Sequence, residues 1–197
     1  MSTSTSASRW LKSTAWLADN LGKPDLVVVD ASYYLPNQNR DAHAEYLKSH
    51  IPGAVFFDIE AICDRSTDLP HMLPGPDQFG EQMGALGISE NDTIVVYDAV
   101  GLYSAPRVWW SFVIFGAKNA FVLNGGFPVW KAEGRPVEAG EVKRAPKTFN
   151  PGPAVCARAC IFIPVGGSSS LMWRICPHDS KMRAMSSTDI VMPVTAG

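Results

Sequence analysis

Three short runs of β-branched and aliphatic residues constrain the fold of this chain most. They span residues 26–29, 93–97 and 120–123, and the run Thr-Ile-Val-Val-Tyr at 93–97 is the strongest of them. Each run is apolar at successive positions, which is typical of strands buried on both faces inside a parallel sheet. Helix-like segments separate the runs, so the sequence predicts an α/β fold with a largely parallel sheet.

The helices are predicted from apolar spacing and from the residues that begin or end them. Ser13 and Thr14 can cap a helix that stops at Gly22, and Pro106 suits the first turn of another. The predicted helices span 13–22, 39–49, 79–86 and 107–115, a further strand runs to residue 57, and residues 64–76 form a loop rich in Pro, Asp, Ser and Thr. Trp109 and Trp110 are expected in the core.

Composition excludes several classes of partner. The chain has 197 residues, 46% of them hydrophobic, which is enough for one domain with or without an appendage. Its formal net charge is −2 with charges spread along the chain, so no nucleic-acid partner is expected. No run approaches the roughly 20 apolar residues of a membrane span, and no apolar secretory signal is recognised near residue 1. No membrane partner is expected, and the cytoplasm is the expected location.

The cysteines do not indicate a metal centre. Cys63, Cys156, Cys160 and Cys176 form no CxxC pair and lie beside no His at zinc-finger spacing. No metal or other cofactor is therefore expected. Cys63 is interpreted as a packed thiol, and a thiolate pair of Cys176 with His178 would be an accident of spacing.

The character of the sequence changes near residue 150. No period of 3.6 or 2 persists in 156–197, which is expected to be an irregular or disordered tail, too short and wrongly patterned for a complete second domain. We divide the chain into a domain at 8–140, a linker at 141–155 and this tail. Because the patterning stops abruptly, we interpret the tail as a departure of the reading frame near Cys156.

Six segments carry a resemblance to the N-terminal half of two-domain thiosulfate and 3-mercaptopyruvate sulfurtransferases. They read DASYYLP (30–36), HIPGAVFFDIE (50–60), HMLP (71–74), VVYD (95–98), YSAPRVWW (103–110) and LNGGFPVWKAEGRPV (123–137). Each is modest alone, and their order and spacing make the resemblance specific. It implies a rhodanese-like domain, a three-layer α/β/α arrangement around a mostly parallel sheet.

The resemblance also implies which residue stands at the catalytic position. In this family only the second of two similar domains carries the sulfur-accepting Cys, at the head of a loop whose N–H groups stabilise thiolate and persulfide. In this chain Asp98 stands there, after the strand at 93–97. A carboxylate cannot carry a sulfane sulfur, so Asp98 is expected to be structural, bonded to its loop or capping the next helix.

Two further residues match positions that mercaptopyruvate-specific members are thought to use. His71 and Glu60 correspond to a His and a carboxylate beside the partner domain's Cys loop, where the His could relay a proton and the carboxylate could fix its tautomer. The family carboxylate is usually Asp, so Asp58 is the alternative orienting group. A plain loop role for His71, bonded to backbone, stays open.

By this resemblance the intact family moves sulfur from mercaptopyruvate or thiosulfate to a thiol or cyanide through a Cys persulfide. The chain is expected to be a truncated member that lacks the catalytic Cys domain and is inactive alone. Its expected partners are a small sulfur donor and a second rhodanese-like domain, and His71 favours the mercaptopyruvate branch. The alternative is a non-catalytic binding or regulatory module; a Cys-phosphatase relative lacks support because the Cys-to-Arg loop is missing.

Overall fold

The computed structural model describes residues 8–152. The expectations for the tail at 156–197, including the frame change and the roles of its Cys and His residues, lie outside these described residues. Five helices cover the sheet described below: α1 (Thr14–Asn20), α2 (Ala42–Lys48), α3 (Pro76–Ala85), α4 (Ala105–Ile114) and α5 (Gly126–Ala132). In this part of the chain no helix combines the length and apolarity that a bilayer crossing requires.

One five-stranded sheet organises the domain. Its strands are β1 (Leu11–Lys12), β2 (Leu26–Asp30), β3 (Ala54–Phe56), β4 (Thr93–Tyr97) and β5 (Asn119–Leu123). Their order is β1-β5-β4-β2-β3, and every neighbouring pair is parallel. The predicted α/β fold with a parallel sheet is therefore confirmed.

Both faces of the sheet are buried, which explains the unbroken apolar runs of its inner strands. Val27 and Val29 of β2 belong to a core cluster shared with α3 and α4, whereas Val28 between them belongs to a second cluster shared with α1 and α5. Side chains alternate between the two faces of a strand. The helices thus form one layer on each side of the sheet, the three-layer arrangement that the family resemblance implies.

Local signals in the sequence account for the helix starts. The Ser13 hydroxyl accepts a hydrogen bond from the Trp16 N–H at 3.1 Å and caps α1. The Asp41 carboxylate does the same for α2 through the Ala44 N–H at 2.9 Å. Proline fits the first turn of α3, which therefore begins at Pro76, three residues earlier than apolar spacing predicts.

The structure contains two elements that the sequence does not predict, and it places one predicted core residue at the surface. Strand β1 has only two residues. Helix α5 starts after Gly125, which has a positive φ of 76°. The Asn-Gly-Gly sequence there is typical of a turn, so the sequence predicts only a turn at this place. The core expectation for Trp110 is wrong: this side chain is 43% exposed because it lies on the outer face of α4. Trp109 packs against the core and donates its indole N–H to the Ala120 carbonyl at 2.9 Å.

Residues past 140 complete the core of the domain. Phe149 is 3% exposed, and its ring centroid lies 5.5 Å from that of Phe79. The Lys147 N–H donates to the Gly84 carbonyl at 2.9 Å, and a Cβ at Gly84 would lie 2.6 Å from the Lys147 carbonyl oxygen. The stretch 141–152, assigned to a linker from the sequence, therefore lies along the domain and contributes to its packing.

We predict that Phe149→Ala lowers the free energy of unfolding by about 3 kcal/mol, because it leaves a cavity among buried aromatic rings. The matched control is Val137→Ala, at a side chain that is 50% exposed, with a cost within about 0.5 kcal/mol. Urea unfolding of both variants measures the difference. Equal, small losses would contradict a core role for the segment past residue 140.

Candidate functional site

The candidate site lies at the edge of the sheet where the parallel strands end. The loops that follow β2, β3 and β4 meet there, since parallel strands present their carboxyl ends at one edge. The Ala31 N–H donates to the Tyr97 carbonyl and the Phe57 N–H to the Asp30 carbonyl, each at 2.8 Å, so the loops leave the sheet side by side. In open α/β sheets this edge is where ligands usually bind.

Asp98, directly after β4, is held by its own loop. Asp98 is only 1% exposed. Five backbone N–H groups donate to its carboxylate at 2.5–3.0 Å: those of Val100 and Gly101 to Oδ1, and those of Tyr103, Ser104 and Ala105 to Oδ2. The last two belong to the start of α4, whose N-terminal dipole also favours negative charge. We call the backbone of residues 98–105 the Asp98 cradle.

The Asp98 cradle packs against the start of α5. The Phe127 N–H donates to the Asp98 carbonyl at 3.0 Å. Gly126 has a positive φ of 56°, and a Cβ there would lie 2.6 Å from the Asp98 carbonyl oxygen and 2.9 Å from the Gly101 Cα. Glycine is therefore required for the two segments to approach this closely.

A buried network links the cradle to β2. The Ser32 hydroxyl accepts from the Ala99 N–H at 3.0 Å and donates to the carboxylate of Asp30, which is 3% exposed. Burial raises the pKa of the Asp30 carboxyl above its ordinary value, while hydrogen bonds from Ser32 and Tyr97 and the nearby His50 oppose that rise. Burial and the neighbouring Asp30 together raise the pKa of Tyr97.

His71 lies between β3 and α3 and is anchored on two sides. Its Nε2 lies 3.2 Å from the Tyr33 hydroxyl, and its carbonyl accepts a hydrogen bond from the Arg107 guanidinium. Its backbone has a positive φ of 55°, uncommon for a residue other than glycine. The Nδ1 atom is buried without a hydrogen-bond partner in the described part of the chain. One ring nitrogen thus contacts the Tyr33 hydroxyl, and the other has no partner among the described residues.

Glu60 interacts with Tyr33 through its charge. Among the described residues 8–152, it forms no hydrogen bond to His71. Burial raises the pKa of the Tyr33 hydroxyl, and the negative charge of Glu60 adds to the rise. Asp58 does not orient His71 either, since its carboxylate accepts from the N–H groups of Glu60 and Ala61 at 2.9 and 3.1 Å. Tyr33 was missed from the sequence, although its place three residues past β2 is the signal that could have found it.

Cys63 is buried and lies outside the cradle. It is 8% exposed, and its thiol donates to the Glu60 carbonyl at 3.1 Å. It is a free thiol and the sole cysteine among residues 8–152. No group of three or more His, Cys, Asp or Glu side chains in that range is arranged to hold a metal ion.

Exposed apolar side chains lie in two of the loops at this edge of the sheet. Leu69 is 61% exposed, and Val100, Leu102 and Tyr103 of the cradle are 50–52% exposed. We call these four side chains the apolar loop surface. They belong to the loops that follow β3 and β4, so they lie at the same edge of the sheet as Asp98. Apolar side chains grouped in this way mark interaction sites more often than scattered ones.

The fold and the strand–loop–helix cradle define a rhodanese-like domain. The sequence model of the rhodanese-like domain matches residues 13–133, and the chain belongs to this family. Within it, the chain is homologous to 3-mercaptopyruvate and thiosulfate sulfurtransferases and corresponds to the first of their two rhodanese domains.

Individual relatives show how much of such a protein the chain spans. It is 50% identical over 127 residues to thiosulfate/3-mercaptopyruvate sulfurtransferase 2 of Arabidopsis thaliana, which covers 64% of the chain and 37% of that protein. It is 41% identical over 142 residues to 3-mercaptopyruvate sulfurtransferase of Escherichia coli, 72% of the chain and 50% of that protein. The crystal structure of SseA from Escherichia coli superposes with a TM-score of 0.70 at 40% identity, covering 73% of this chain and 55% of that one. The chain thus spans about half the length of its relatives or less.

We predict that Gly126→Ala destabilises the domain by about 1–3 kcal/mol more than Gly134→Ala. Both glycines have positive φ, at 56° and 65°, but a Cβ at Gly134 meets open space whereas one at Gly126 meets the cradle backbone. The pair therefore isolates the steric contact from the backbone strain. Chemical unfolding of the two variants measures it, and an equal loss would mean that α5 does not support the cradle.

A second prediction concerns pH. Because the folded-state pKa of Asp30 is raised, the stability contributed by its protonated form is present at low pH and is lost as pH rises through the folded pKa. The stability of the wild-type protein relative to Asp30→Asn should therefore fall as pH rises above the ordinary Asp pKa of about 4. Urea unfolding at several pH values tests the sign, and a wild-type protein that gains on the variant with rising pH would contradict it.

Proposed function

We propose that this chain is the non-catalytic first domain of a 3-mercaptopyruvate or thiosulfate sulfurtransferase. In this proposal it supports a sulfur transfer whose persulfide forms on a Cys of a second rhodanese-like domain. The observation that carries the proposal is Asp98, whose carboxylate fills the cradle in which a catalytic domain of the family would hold sulfur. In this proposal the protein acts in the cytoplasm.

Carboxylate chemistry supports inactivity of the chain alone. In sulfur transfer through an enzyme, a Cys thiolate attacks the transferable sulfur of the donor and becomes a persulfide. The bond from that sulfur to the rest of the donor breaks, which releases sulfite from thiosulfate or the enolate of pyruvate from mercaptopyruvate. Asp98 has no sulfur atom to form a persulfide. Cys63 has one, but its thiol is buried and bonded to the Glu60 carbonyl. Within residues 8–152 neither group can serve as the nucleophile, so in this proposal a second domain supplies it.

The contribution of this chain to chemistry is the group formed by His71, Tyr33 and Glu60. When sulfur leaves mercaptopyruvate, the carbon that held it must gain a proton, and the His71–Tyr33 pair can deliver one. The charge of Glu60 favours the protonated form of Tyr33. This pair supports mercaptopyruvate as donor over thiosulfate, whose cleavage needs no proton at carbon.

The apolar loop surface supports a second rhodanese-like domain as partner. Leu69 precedes His71 by two residues, and Tyr103 is close enough to Tyr33 to raise its pKa. A domain that covers the apolar loop surface would therefore bring its own Cys loop towards the His71 group. Burial of this surface would supply hydrophobic stabilisation of about 25 cal/mol per Å². A purely binding or regulatory module is the second candidate function. The Asp98 carboxylate that fills the cradle supports this candidate as much as it supports the non-catalytic domain of a sulfurtransferase.

A chimera separates the two candidates. Residues 1–155 would replace the first rhodanese domain of the Escherichia coli relative, leaving that protein's second domain in place. With an excess of a thiol acceptor, which reduces the persulfide to sulfide and is itself oxidised to a disulfide, we expect the chimera to release pyruvate and sulfide from 3-mercaptopyruvate. His71→Ala in it should lower kcat/KM about 100-fold or more, the size of a general acid–base contribution.

The matched control for the chimera is His43→Ala, at an exposed histidine on α2. Its kcat/KM should stay within about twofold of the unsubstituted chimera, since surface changes away from the site are nearly neutral. An active chimera with equal effects of both substitutions would remove His71 from the chemistry. A folded but inactive chimera would favour the binding module.

A further inference from the structure

A pocket with a volume of about 190 Å³ lies at the edge of the sheet opposite the Asp98 cradle. Leu26, which lines it, is the first residue of β2, and Pro52 and Gly53, which also line it, directly precede β3. Because the strands are parallel, these positions belong to their amino ends, whereas Asp98 follows the carboxyl end of β4. The pocket is therefore separate from the candidate functional site.

The wall of this pocket is largely apolar. Leu26 and Val28 lie on one face of β2 and belong to the core cluster that the sheet shares with α1 and α5. Leu21, which follows α1, packs against the same cluster, and Pro24 and Pro52 complete the apolar lining. Apolar walls with a few polar groups are typical of sites for small molecules. This wall therefore suits the carbon skeleton of a ligand.

The charged side chains that line the pocket are both cations. They are Arg144 and Lys23, and among the described residues no Asp or Glu lines it. The Arg144 Nε is buried without a hydrogen-bond partner in the described part of the chain, and Arg144 takes part in none of the ion pairs there. The Lys23 Nζ, by contrast, donates to the Asn20 Oδ1 at 2.6 Å. A buried donor without an acceptor is unfavourable, so Arg144 is the group that would gain most from an anion.

The volume of the pocket limits the size of its ligand. An apolar cavity of about 150 Å³ holds one benzene molecule, so a pocket of about 190 Å³ admits one ring or a chain of similar size with a small polar head. Sites for drug-sized ligands begin at about 300 Å³. A carboxylate suits the head, because its two oxygens match the planar fork of a guanidinium.

We propose that this pocket binds a small monocarboxylate whose apolar body packs against Leu26 and Val28 and whose carboxylate binds the Arg144 guanidinium. Arg144 belongs to the stretch 141–152 that packs along the domain, so the bound anion joins that stretch to β2. A ligand that binds only the folded chain also stabilises it. The proposal goes beyond sulfur transfer and does not depend on it, since the pocket contains neither Asp98 nor the His71 group.

Benzoate is the probe for this site, and benzamide is its uncharged match in shape. Titration of the full chain at constant ionic strength, followed through backbone amide NMR shifts, should show saturable benzoate binding with a Kd on the order of 1 mM or lower. The largest shifts should fall at residues 21–28, 53 and 144. Benzamide should bind at least about 10-fold more weakly, because a charge-assisted hydrogen bond is stronger than a neutral one. Absence of saturable benzoate binding, shifts centred elsewhere, or equal binding of benzamide would overturn the proposal.

Two variants test the role of the guanidinium. Arg144→Gln should raise the Kd for benzoate about 10-fold or more and leave that for benzamide nearly unchanged. The matched control is Lys143→Gln, which removes the neighbouring cation at a side chain that is 82% exposed, and it should change the Kd for benzoate less than about twofold. Equal losses in both variants would show that benzoate responds only to general positive charge, which contradicts the proposal. If Arg144→Gln does not fold, the comparison of benzoate with benzamide on the wild type decides.

Discussion

The interaction on which the rest of this domain's edge depends is the set of five backbone hydrogen bonds to Asp98. A buried carboxylate is unfavourable unless its oxygens are hydrogen-bonded, and here each oxygen has at least two N–H donors. The bonds bring residues 100–105 around one point and set the start of α4. That placement turns Val100, Leu102 and Tyr103 outward. A charge requirement therefore determines which apolar groups this loop exposes.

The sheet explains why the other site residues lie near this cradle. Since all five strands are parallel, the loops carrying Tyr33, His71 and Asp98 leave from one edge. Ser32 joins two of these loops through its hydroxyl, and the Arg107 guanidinium joins α4 to the carbonyl of His71. Each loop is thus fixed by contacts to its neighbours. The edge carries the His71–Tyr33 contact and exposed apolar side chains, and the sole thiol among residues 8–152, that of Cys63, is buried.

Much of this architecture could be predicted from the sequence because its signals are local. The run 94–96 is apolar at every position and needs burial on two faces, and the Ser13 hydroxyl marks the start of the helix that follows it. Strand β1 could not be predicted, since two residues at a sheet edge carry no period. The packing of Phe149 on Phe79 and the exposure of Trp110 depend on tertiary contacts that hydrophobicity alone does not encode. The Tyr33–His71 contact joins residues 38 positions apart and required the folded loops.

The central claim is that the cradle holds a carboxylate where a catalytic domain holds sulfur, so this domain carries no persulfide. The most direct measurement is peptide mass mapping of the intact chain after incubation with 3-mercaptopyruvate and, separately, with thiosulfate. The account predicts that the peptide containing Cys63 keeps its unmodified mass and that no peptide of residues 8–152 gains a sulfur atom. A stoichiometric gain of one sulfur atom on Cys63 would contradict it.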